Sequence, residues 1–115
     1  MHQIKSAILL SSFGLLLVFA ACKKEEVPVD DIDVGEVSYD GDVKSILSSN
    51  CSPCHFSSSP SAGLDLSTKA SAESAIETRN LIGRINSESN PMPQAGLMSA
   101  EKRAKIQAWK DQGYN

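Results

Sequence analysis

Two cysteines with a two-residue spacer, followed directly by a histidine, constrain this chain more than any other feature: Cys51-Ser52-Pro53-Cys54-His55. On one helical turn, positions three and four apart share a face. Both thiols and the imidazole of such a turn then project the same way. A structural zinc site needs four nitrogen or sulfur ligands. The only other cysteine is Cys22 and the only other histidine is His2. His2 lies in a leader and Cys22 at its end, so neither completes a zinc set. A thioredoxin-like dithiol wants a βαβ setting, and no convincing strand is present. A bare disulfide suits an exported chain but leaves His55 without a role.

Cys-x-x-Cys-His is, in contrast, the attachment spacing of c-type haem. Cys51 and Cys54 would form thioethers with two vinyl groups, and His55 would take one axial position of the iron. Composition is compatible with a large apolar cofactor. Past residue 38 the aromatic residues are only Tyr39, Phe56, Trp109 and Tyr114. A domain this small buries a modest core unless something adds to it.

The second axial position needs a soft ligand from elsewhere, and the methionines beyond the leader are Met92 and Met98. Met92 lies in Pro91-Met92-Pro93, where two amide donors are missing and helix is disfavoured. Such a segment can present a side chain without competing for helical hydrogen bonds. Met98 directly precedes Ser99, a position from which an apolar residue packs against its own helix. Met92 is therefore the expected distal ligand and Met98 the alternative. Both could instead simply fill the core. Anionic side groups of a porphyrin need donors as well. Arg79 and Arg84 flank the apolar Leu81-Ile82 pair, and the Trp109 indole carries an N–H.

The N-terminus reads as an export signal. Lys5 supplies a positive start, and residues 8–21 are apolar apart from Ser11, Ser12 and Gly14. A spanning helix needs about 20 apolar residues, so residues 1–21 read as a signal peptide. An uncleaved, short membrane anchor is the other reading, and it too exports and tethers the chain. Phe19-Ala20-Ala21-Cys22 resembles a bacterial lipobox, which makes Cys22 the lipidated first residue of the mature protein. Lys23-Lys24-Glu25-Glu26 resembles a surface-export signal of some lipoproteins. Eight of the 14 acidic residues fall in residues 25–42. Residues 22–38 are thus expected to form an acidic, flexible linker. Residues 39–115 form the domain, which has no basic stripe for nucleic acid.

Within the domain, Val43, Ile46 and Leu47 mark one face of a helix over residues 42–49, capped by Ser38 or Asp40. A short helix is predicted over 71–76 and a better one over 77–86. Ser99 caps a final helix over 100–112, which Gly113 ends. Ala104, Ile106, Ala108 and Trp109 supply its apolar side.

Together these residues resemble class I c-type cytochromes. Val43-Lys44-Ser45-Ile46-Leu47 before the haem motif is similar to the family's first helix. Gly63-Leu64-Asp65-Leu66-Ser67 resembles the segment that follows the motif in small membrane-tethered members. Pro91-Met92-Pro93, Leu97-Met98-Ser99-Ala100-Glu101 and Ile106-Gln107-Ala108-Trp109 are similar to the methionine loop and C-terminal helix. Lys105 and Lys110 depart from the apolar or neutral residues frequent there. The resemblance implies an all-α fold of three to five short helices around one covalent haem c, with His55 proximal and Met92 distal. It implies an electron carrier rather than an enzyme, passing single electrons between redox partners in a bacterial cell envelope. The carrier could also serve as a subunit of an oxidoreductase complex. The alternative is a haem subunit or sensor that binds a gas or peroxide at a labile sixth position.

Overall fold

A computed structural model of the 115-residue chain describes residues 27–115. The leader and Cys22 lie outside the described residues. The described part is helical and carries no strand. No described helix is long and apolar enough to cross a membrane.

After a 3-10 turn at Val29–Asp31, Ser38 opens the next helical segment, its hydroxyl accepting the Gly41 N–H at 3.1 Å. A wide π-type turn, Tyr39–Val43, leads into helix α1, Lys44–Cys51. Val43, Ile46 and Leu47 are buried, as their spacing predicts. Helix α2, Lys69–Thr78, starts at a capping box in which Thr68 and Ser71 satisfy each other's amides. Helix α3 is Leu81–Ile85 and helix α4 is Ala100–Asp111. Ser99 caps α4 by accepting from Lys102 N–H, and Gly113 leaves it at φ +81°, where a left-handed residue is wanted.

One expected helix is not continuous. In place of 77–86, the chain breaks after Thr78, and Asn80 adopts a left-handed conformation at φ 53°, ψ 41°. Asparagine tolerates that region better than most residues. The break reverses the chain so that Ala75 and Ile76 of α2 and Leu81 and Ile85 of α3 all enter one core. Gly83 permits the sharp corner: a Cβ there would sit 2.5 Å from the Asn80 side chain.

The core is centred on Trp109, which is fully buried. Tyr39 packs on it at 5.5 Å between ring centroids, and Tyr114 meets it edge-on at 4.9 Å. Lys105, on α4, spans to Asp42 at 3.1 Å, an ion pair between α4 and the opening turn. The expected linker also ends earlier than residue 38. Val37 is fully buried, its N–H donates to Gln112 Oε1 at 2.9 Å, and Gln112 Nε2 donates to Gly35 O at 2.8 Å. Val37, the partly buried Val34 and two hydrogen bonds with the Gln112 side-chain amide thus dock the end of the acidic stretch onto the domain.

Candidate functional site

Cys51 is the last residue of α1, and the motif does not continue that helix. Ser52 is extended, at φ −80°, ψ 150°. Pro53 accounts for this, because a proline disfavours helical backbone at the residue before it. The helical spacing nonetheless survives, since the His55 N–H donates to Cys51 O at 3.0 Å, four residues back. The chain past the motif is pinned by Ser61 N–H to Cys54 O at 2.8 Å and Leu66 N–H to His55 O at 2.9 Å.

Cys51 and Cys54 are free thiols, not a disulfide. Burial pushes the Cys51 thiol up to about 11. Such a thiol is protonated at neutral pH, unlike the low-pKa nucleophile of a dithiol oxidoreductase. His55 is half-buried, and its Nδ1 lies 2.9 Å from Leu64 O. A carbonyl accepts only, so Nδ1 is the donor in this contact, and in the neutral ring the lone pair lies on Nε2. A second-sphere carbonyl that fixes tautomer and ring orientation is the usual partner of a metal-bound histidine. Sequence reasoning missed Leu64, since nothing in its identity announces a carbonyl role.

These groups border a cavity of about 560 Å³, within the range of small-molecule and cofactor pockets. Cys51, Cys54 and His55 form one side, Leu64, Leu66, Leu81 and Ile85 add apolar wall, and Met92 and Pro93 come from the far loop. The structure therefore brings Met92 to the same cavity as the motif. Its N–H donates to Arg84 O at 3.1 Å, which ties the loop to α3. Met98 lies elsewhere, buried in the core.

The three candidate donors separate. Arg79 and Arg84 both line the cavity. Trp109 does not, and its indole N–H is spent on Asn115 O at 3.0 Å. The expectation of a cavity-facing Trp109 fails because the C-terminal residue folds back to take that donor.

The loop carrying Met92 is stapled at both ends by a residue the sequence did not single out. Arg103 is buried, donating from Nε to Met98 O at 3.0 Å and from Nη1 to Asn86 Oδ1 at 2.9 Å. Its position on the inner face of α4 could have flagged it, but a charged residue there reads as solvent-facing.

The residues present suit a covalently held porphyrin: two free thiols, one oriented imidazole, one thioether and an apolar wall around a single space. Among the described residues, no group of three or more His, Cys, Asp and Glu side chains converges to hold a bare metal ion. Comparison with family models, with curated proteins and with solved structures returns no match to this chain.

Proposed function

We propose that this chain is a small one-haem c-type cytochrome, anchored to a bacterial envelope membrane through Cys22, that carries single electrons between redox partners. One observation carries the reading. Cys51, Cys54, His55 and Met92, separated by up to 41 positions in sequence, line one cavity, with His55 oriented through Nδ1 by Leu64 O.

Cys51 and Cys54 would hold the porphyrin by thioethers, formed as each S–H adds across a vinyl group. His55 would bind iron through Nε2, with Leu64 O accepting from Nδ1–H and so holding the ring's orientation. Met92 would supply the other protein ligand, and a thioether ligand favours ferrous iron and raises the potential. Bound haem supplies a reversible one-electron change at its iron. The apolar wall from Leu64, Leu66, Leu81 and Ile85 limits water at the site, which also favours the less charged, reduced form. With both axial positions filled by protein, no coordination site stays open for substrate, which fits a carrier better than an enzyme.

Two experiments test this reading. Haem is expected to stay on the chain through denaturation and acid–acetone extraction, and Cys51→Ser or Cys54→Ser is expected to reduce or abolish the attached haem. Free extraction from the native protein would reject the reading. For the tether, labelled fatty acid is expected to enter the wild type and not Cys22→Ser. Equal labelling of both would reject the lipid anchor and leave the haem reading intact.

A further inference from the structure

The stretch that leads into the domain is two-sided. Val29, Ile32 and Val34 are half-buried and Val37 is fully buried, whereas Asp30, Asp31, Asp33 and Glu36 are exposed. Its apolar residues are thus sorted toward the domain and its acids toward solvent. Local bonds shape it: Asp31 N–H donates to Pro28 O at 3.0 Å, and Gly35 N–H donates to Asp33 Oδ1 at 3.0 Å with Gly35 at φ +67°. The turn at Val29–Asp31 rests against α4, and the Gln112 amide holds Val37 N–H and Gly35 O. Ordering a spacer in this way costs conformational entropy, which burial of its apolar side offsets. No residue of the stretch and none of α4 lines the cavity, so it docks away from the proposed cofactor site.

We propose that residues 29–37 are a docked strap that keeps the lipid tether short, and that the carrier exchanges electrons with a partner confined to the surface of the same membrane. The inference rests on the lipid-anchor and haem readings above and deepens them by naming the kind of partner. Fully extended, the chain from Cys22 to Val29 reaches about 25 Å, against about 50 Å from Cys22 to Val37 with the strap free. Local concentration at the membrane surface falls roughly as the −3/2 power of tether length, so docking raises encounters with a membrane-bound partner about threefold. A partner dissolved in bulk gains nothing from the shorter tether.

The test uses the full, lipidated, haem-loaded protein in phosphatidylcholine vesicles. A lipid with a ferrocenium headgroup in the same vesicles stands for the membrane-bound partner, and ferricyanide for a soluble one. Each takes one electron from the ferrous iron. Val37→Ser with Gln112→Ala removes the buried side chain and both Gln112 hydrogen bonds of the strap. It is expected to lower the rate with the ferrocenium lipid about threefold and to leave the ferricyanide rate unchanged. It is also expected to speed cleavage after Glu36 by a glutamate-specific protease several-fold. A Gly/Ser insertion of about eight residues between Glu26 and Val27 lengthens the tether with the strap in place. It is expected to give the same fall in the ferrocenium rate with no change in cleavage after Glu36. If the double variant does not accumulate, Val34→Ser with Gln112→Ala decides by the same measurements. Cleavage after Glu36 as fast in the wild type as in the released variant would overturn the strap. An unchanged ferrocenium rate in the insertion variant would overturn the membrane-confined partner. Wild-type protein without lipid on Cys22, or without covalent haem, would overturn the anchor or the haem reading, and this inference with it.

Discussion

Met92→Ala is expected to abolish the weak near-infrared methionine-to-iron band of the ferric protein, lower its potential and open its iron to carbon monoxide. The wild type is expected to react with carbon monoxide slowly or not at all at neutral pH, because the proposed function has Met92 filling the sixth position. The cause is geometric. Met92 lines the same cavity as Cys51 and His55, while Met98 is buried in the core. Removing the Met92 thioether takes away a ligand that favours ferrous iron and leaves a vacant coordination site. Met98→Ala is expected to keep the band and to cost about 2–5 kcal/mol of stability, as a buried methionine does when truncated. Carbon monoxide recombination, the ferric spectrum and denaturant midpoints measure these outcomes. The reverse pattern would assign the ligand to Met98. Rapid carbon monoxide binding by the wild type would favour the sensor reading over the carrier.

Trp109→Ala is the largest stability loss expected in the molecule. The side chain is fully buried, meets Tyr39 and Tyr114 through its ring, and donates its indole N–H to Asn115 O. Truncating a buried tryptophan costs about 3–5 kcal/mol. Domains of this size hold roughly 5–15 kcal/mol in total, so the variant should sit close to unfolding at ordinary temperature. Urea titration of the haem-loaded protein measures this, with a large fall in midpoint at an unchanged slope. Trp109→Phe keeps most of the packing and loses one hydrogen bond, and it should fall between the two. A midpoint for Trp109→Ala within error of wild type would contradict the placement of this ring at the centre of the core.

The Arg103 staple bears on the same loop. It spans Asn86 and Met98, the two flanks of the segment that carries Met92, and its buried position makes those bonds less exposed to competition from water. The methionine is therefore presented by a loop held at three points, counting the Met92 N–H on Arg84 O. That restraint lowers the conformational entropy lost when the thioether engages a metal.

Local residue chemistry decided much of this protein. The Cys51–Cys54–His55 spacing names its candidate cofactor, because few groups use two thiols and one imidazole from a single turn. The apolar period of Val43, Ile46 and Leu47 and the Ser99 and Gly113 signals placed α1 and α4, since caps and amphipathic stripes act within a few residues. Pro91-Met92-Pro93 marked a non-helical methionine for the same local reason.

Other features were settled only by residues far apart in the chain. The corner at Asn80 follows from two helices needing to bury Ala75, Ile76, Leu81 and Ile85 in one core, a demand that overrides local helix preference. Val37 enters the domain as Gln112 accepts from its N–H and donates to Gly35 O, a pairing that composition cannot disclose. The Leu64 carbonyl and the Arg103 staple are backbone or side-chain atoms in roles their residue types do not announce. Sequence spacing could nominate the two thiols, the imidazole and the thioether. Only the placement of α3, and of the distal loop tied to it through the Met92 N–H on Arg84 O, brings them around one cavity, because a juxtaposition across 41 positions depends on how the whole core closes.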